Sequence, residues 1–138
     1  MALIPQARCH NPPRGPLGSR DPTRIAPVAA VQNMYGLFHR RNPDVLDACT
    51  RQGIAFVPFF SPETLGRPEP AEPLARIAAR HGATPARVEL AWTMTRSPVV
   101  LPIPGASSVA HVEDDIAAAA LRLDAESLSE PDALPAPS

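Results

Sequence analysis

The sequence predicts an α/β fold built on a short parallel sheet, and three observations lead there. Three brief apolar runs, Val28–Val31, Ile54–Phe60 and Val99–Ile103, have the length of strands rather than helices. The stretches between them carry apolar residues at helical spacing and are bounded by Asn-Pro, Thr-Pro and Gly signals. The middle run is apolar on both faces, as a parallel strand covered on both sides must be. Strands that alternate with helices imply crossover connections, and so parallel pairing.

The chain divides into three parts. Met1 to Arg24 holds Pro5, Pro12, Pro13, Pro16 and Pro22 with Gly15, Gly18 and four arginines. With so few backbone donors and so little apolar surface, it is expected to be a disordered leader. Residues 25–134 form the folded part, and 135–138 a tail.

Within the folded part, Val28–Val31 ends in Gln32-Asn33 and reads as the first strand. Asn42 and Pro43 then start a helix as N-cap and first helical residue. Val45, Leu46 and Cys49 give that helix its apolar face, and Gly53 closes it. Ile54–Phe60 is the second strand, with Pro58 marking its C-terminal edge. A proline-rich loop covers Ser61–Pro73. Leu74–His81 is a short helix stopped by Gly82, and Thr84-Pro85 starts the next, which ends near Arg96. That helix directs Val88, Leu90, Ala91, Trp92 and Met94 toward the core. Val99–Ile103 is the third strand, cut off by Pro104-Gly105. Ser107 or Ser108 caps a last helix whose buried side is expected to be Val109, Val112, Ile116 and Ala120.

Composition excludes several function classes. A net charge of -1 gives no reason to expect nucleic acid or an anionic membrane as partner. Cys9 and Cys49 lie far apart, and the histidines show no metal-ligand grouping. No apolar run approaches the roughly 20 residues of a membrane span, and no signal-peptide core precedes the fold. A cytoplasmic location with reduced thiols follows as the expectation. All 13 basic residues are arginine, so any chemistry that needs a lysine is excluded from this chain.

Four segments occur together and in order. They are Val31-Gln32-Asn33-Met34-Tyr35 with Arg40 after it; Gly53 to Phe60 (GIAFVPFF); Ile77-Ala78 through Ala91-Trp92; and Ser97 to Asp115 (SPVVLPIPGASSVAHVEDD). Together they resemble the C-terminal portion of the aldo-keto reductases. The resemblance implies a partial TIM (β/α)8 barrel, of which this chain supplies about the last three units. A full barrel takes eight units and about 250 residues, with ligands at the C-terminal strand ends.

The resemblance also implies a nicotinamide cofactor, NADP (NADPH), with NAD as the alternative. Gln32, at a strand end, stands where the family's glutamine meets the nicotinamide carboxamide; read alone, it is a structural amide satisfying loop backbone. Phe59 stands where an aromatic side chain stacks on the nicotinamide ring; read alone, it is core. Phe60, Leu65 and Gly66 correspond to the segment over the pyrophosphate, although Ser61-Pro62-Glu63-Thr64 interrupts the family pattern. Ile103, Gly105, Ala106, Ser107 and Ser108 lead into a helix N-terminus, whose free N–H groups suit the 2′-phosphate of NADP. The two serines are also ordinary N-caps. His111 stands in for a phosphate-binding arginine, and Asp115 for an asparagine that meets the adenine. Asp114, with Glu113 and Asp115, opposes a phosphate and leaves the choice between NADP and NAD open.

The family's proton-donating tyrosine, with its aspartate, lysine and histidine, belongs to the N-terminal half of the barrel. No catalytic residue is assigned here, and Tyr35, the only tyrosine, does not match that motif. The expected function is that of a fragment of an NADP-dependent aldehyde or ketone reductase, partnered by the dinucleotide and by a complementary N-terminal half-barrel chain. The alternative is a non-catalytic nucleotide-binding or protein-interaction module.

Overall fold

The computed structural model describes residues 27–37, 39–40, 43–59 and 72–132. The expectations for the leader, Asn42, Phe60, Leu65, Gly66, most of the Ser61–Pro73 loop and the tail lie outside these residues.

Two strands form the sheet: β1 (Ala30–Met34) and β2 (Ala55–Phe59). They pair in parallel, with Ala30 opposite Ala55, Gln32 opposite Val57 and Met34 opposite Phe59. Between them runs α1 (Pro43–Gln52), which starts on the expected proline. Gly53 follows at φ 66, a left-handed conformation that costs a side-chain-bearing residue steric strain. β1 lies two residues later than expected: Val28 precedes the strand and packs part-buried against the core.

The third strand is reduced to a single position. Val100 makes a parallel bridge to Phe56, flanked by Phe56 N–H to Val99 C=O and Leu101 N–H to Phe56 C=O, both 2.8 Å. The next rung of a parallel ladder would need an N–H from residue 58 toward Leu101. Residue 58 is proline, so the ladder has no donor there and the expected Val99–Ile103 strand does not propagate.

Three helices cover one face of the sheet. They are α1, α2 (Glu72–His81) and α3 (Pro85–Thr95). Thr84 caps α3 by accepting the Arg87 N–H at 3.1 Å, as the Thr-Pro signal requires. The core joins Phe56, Leu46, Cys49, Leu74, Ile77, Val88 and Trp92. Tyr35 meets Phe56 edge-on at 5.6 Å between ring centroids, inside the same core. The opposite face of the sheet, with Gln32 and Phe59, is exposed.

Two expectations about the C-terminal region need correction. Helix α4 (Val109–Ala118) is present, but Val109, Val112 and Ile116 are 75%, 44% and 68% exposed, and Ala120 is exposed too. Ala118 is its buried residue, and its docked side meets α3. Helical spacing identifies an apolar stripe, but it does not supply a partner to cover it. A further helix, α5 (Ala125–Asp132), was not expected. Its signal was available: Asp124 accepts the Ser127 N–H at 2.7 Å as an N-cap, and Glu126 follows in the first turn.

Candidate nucleotide-binding site

Parallel pairing brings the C-terminal ends of β1, β2 and the Val100 segment to one side of the sheet. On the open face, Gln32 and Phe59 sit one alternation apart in register: Gln32 faces Val57, and Met34 faces Phe59. Gln32 is exposed, and the Phe59 ring is 40% exposed, although both belong to strands. Their neighbours Asn33 and Pro58 point the other way and are buried. Asn33 accepts the Met34 N–H through Oδ1 at 3.0 Å, while its buried Nδ2 has no partner among the described residues.

The connection from Ile103 through Gly105 and Ala106 to Ser107 is exposed throughout. Ser108, not Ser107, caps α4: its hydroxyl accepts the His111 N–H at 3.2 Å. Ser107 Oγ lies 3.2 Å from His111 Nδ1, so one exposed hydroxyl and one exposed imidazole share this end of the helix. The first turn of a helix leaves N–H groups without intrahelical partners, and the dipole there favours an anion.

The acidic residues of α4 do not act as a block. Asp114 accepts from the Thr84 hydroxyl and from Arg87, whose Nε lies at 2.8 Å. The Thr84 hydroxyl, reinforced by the Arg87 guanidinium, holds this carboxyl below the usual aspartate range. Asp114 therefore ties α4 to α3, and its charge is compensated where the sequence suggested a group facing the cofactor. Asp115 is half-buried and Glu113 exposed.

Sequence reasoning missed Glu89. It lies half-buried on α3 and accepts the Leu37 backbone N–H; desolvation pushes its carboxyl up to about 7. Leu37 belongs to a tight turn closed by reciprocal Gly36 and His39 backbone bonds, both 3.0 Å, just after the strand that carries Gln32. The available signal was an acid inside the otherwise apolar Val88–Trp92 run. Cys49 is buried, which raises its thiol pKa and removes it as a nucleophile. Among the described residues no cluster of His, Cys, Asp or Glu has a geometry that could hold a metal ion, and no helix is long and apolar enough to cross a membrane.

The model of the aldo/keto reductase family matches residues 64–135, just over half of the chain. The chain belongs to the aldo/keto reductase family. Among curated relatives of this family member, the pyridoxine 4-dehydrogenase of Escherichia coli (strain K12) is 45% identical over 113 residues, covering 80% of this chain and 38% of that protein. An uncharacterized oxidoreductase of Schizosaccharomyces pombe is 37% identical, over 72% of this chain and 33% of its own. An aldo/keto reductase from Klebsiella pneumoniae, solved in complex with NADP and acetate, superposes with TM-score 0.68 at 28% identity, over 76% of this chain and 38% of that one. A Klebsiella pneumoniae aldo-keto reductase in complex with NADPH gives TM-score 0.64 at 31% identity, with the same coverage. The chain thus spans about two-fifths of the length of the relatives it matches.

Proposed function

We propose that this chain supplies the cofactor-side part of an NADP-linked reductase of aldehydes and ketones, and not its proton donor. The observation that carries this reading is the joint exposure of Gln32 and Phe59 on one sheet face, at the ends of two parallel strands. An amide and an aromatic ring on one sheet face suit a carboxamide-bearing planar ring, the first by hydrogen bonds and the second by stacking. Ser107, Ser108 and His111 offer a hydroxyl pair and an imidazole at a helix N-terminus, which suits a phosphate. The residues present therefore fit the dinucleotide in kind. When bound, it supplies hydride; this chain's residues bind and orient it. Leu65 and Gly66 remain proposed for the pyrophosphate, and Asp115 for the adenine. Asp114 acts through Thr84 and Arg87 as a positioning residue.

The proton must come from elsewhere. Tyr35 is buried against Phe56, and the chain has no lysine to support a tyrosine acid. The test is a fluorescence titration with NADPH beside a turnover assay with an aldehyde, and with pyridoxine plus NADP because a relative carries that activity in its name. Expected are weak NADPH binding, further weakened by Gln32→Ala or Phe59→Ala, and no turnover by the chain alone. Robust turnover would refute the assignment of the donor to another polypeptide segment, and binding indifferent to both substitutions would refute the site.

A further inference from the structure

We propose that Glu89 is a positioning residue for the strand ends that carry Gln32 and Phe59, and that protonation of its carboxyl adjusts them. This rests on the cofactor reading above and adds a means of regulation to that site. Glu89 stands on the inward face of α3: Trp92 and Thr93, three and four residues on, are both buried. Its carboxyl accepts the N–H of Leu37, which is fully buried. A buried N–H needs an acceptor. In strands and helices the backbone supplies one. Here an ionisable side chain from another element does so.

The consequence runs back along the chain. Leu37 lies inside the turn closed by Gly36 and His39. Two residues before it, the Tyr35 N–H bonds the Phe59 carbonyl at 3.3 Å, long for such a bond, where β1 and β2 end. The Tyr35 ring packs edge-on against Phe56 of β2. Gln32 and Phe59 therefore take their spacing from a backbone that α3 holds on the opposite face, through Glu89.

Ionisation acts on this contact in two ways. A carboxylate accepts an N–H more strongly than a neutral acid does, but it loses more on leaving water. Desolvation is the larger effect on Glu89. The charged groups around it do not offset that loss. His39 and Arg40 stand on the turn, Arg87 is taken up by Asp114 of α4, Arg80 by Glu126 and Glu130 of α5, and Arg96 lies over Trp92. None of them is among the causes of the shift. Raising pH through about 7 thus charges Glu89, draws it toward water and loosens its hold on Leu37.

The test is a nuclear magnetic resonance titration of the full chain from about pH 5 to about pH 8. The Leu37 and Tyr35 amides and the Gln32 side-chain amide should move with one midpoint of about 7. The Glu89 carboxyl carbon, read in the same wild-type sample, should share that midpoint, so the assignment does not depend on any variant. The Ile54 N–H, bonded to Cys49 before the far end of β2, should stay still. Glu89→Gln, which keeps an acceptor, should abolish the movement. Still amides at Leu37 and Tyr35, a midpoint different from that of the Glu89 carboxyl, or the same movement in Glu89→Gln would overturn the proposal. NADPH titrations at about pH 6 and about pH 8 follow in both proteins. Wild-type affinity should fall several-fold more than that of Glu89→Gln, a comparison that cancels whatever pH does at His111 or on the phosphate. Coupled amides without NADPH binding at either pH would leave the positioning role standing and remove the cofactor site. NADPH binding with equal pH dependence in both proteins, and still amides, would do the reverse.

Discussion

Arg87 donates through Nε to the Asp114 carboxylate at 2.8 Å, while the Thr84 hydroxyl donates to the other oxygen of the same group. Thr84 also accepts the Arg87 N–H, so one short cluster caps α3 and fastens α4 to it. Asp114→Ala is expected to lower stability by about 1 kcal/mol, the usual net worth of a partly buried, charge-assisted bond. The pH dependence has a definite sign. A depressed carboxyl contributes stability above its unfolded pKa and loses it as pH falls through the lower folded value. The gap in urea midpoint between wild type and Asp114→Asn should therefore narrow on acidification. A constant gap would remove the charge from the account.

Glu89 should behave in the opposite way. Its folded-state pKa is raised from 4.5 to about 7, so the native state keeps a proton that the unfolded chain releases. Stability then falls as pH rises from 4.5 through 7 and levels off above that. Glu89→Gln keeps an acceptor for the Leu37 N–H and removes the titration. Denaturation at about pH 5 and about pH 8 should show the variant gaining on wild type at the higher pH. Parallel curves for the two proteins would mean that Glu89 stays charged in the fold.

Pro58 limits the sheet. Pro58→Val restores an N–H where the next rung toward Leu101 belongs, and valine fits a buried strand position. Amide exchange should show protection at residue 58 and new protection at Ile103. Rapid exchange at residue 58 would show that something other than the missing donor ends the third strand.

Helix α5 meets α2 through a set of ion pairs beside its buried Ser127 and Pro131. Arg80 reaches Glu126 at 3.0 Å and Glu130 at 2.9 Å, Arg76 also reaches Glu130, and His81 Nε2 lies 2.9 Å from the buried Ser127 hydroxyl. Salt screens exposed pairs far more than a packed core. Raising ionic strength, or Arg80→Ala, should speed amide exchange in Ala125–Asp132 while leaving the β2 amides slow. Equal acceleration in both would mean that α5 and the core open as one unit.

Much of this molecule is legible in its residues. Pro43 and Gly53 bound α1, Thr84 caps α3, and Gly82, at φ 57, ends α2, each because the local backbone chemistry admits few alternatives. The faces that matter for the site were less legible. Val109, Val112 and Ile116 have the spacing of a buried face and are exposed, while Asp114, expected to face a cofactor, is bonded to Thr84 and Arg87.

The sequence by itself determined β1, β2, the helices from α1 to α4, the Thr84 cap and the parallel sense of the sheet, because those follow from local backbone preferences and the period of the apolar pattern. Only the tertiary structure decided which stripe finds a partner, which acid finds an arginine, and that Gln32 and Phe59 open on the same face. Such outcomes depend on which distant segments meet, and periodicity along a chain carries no information about what lies across from it.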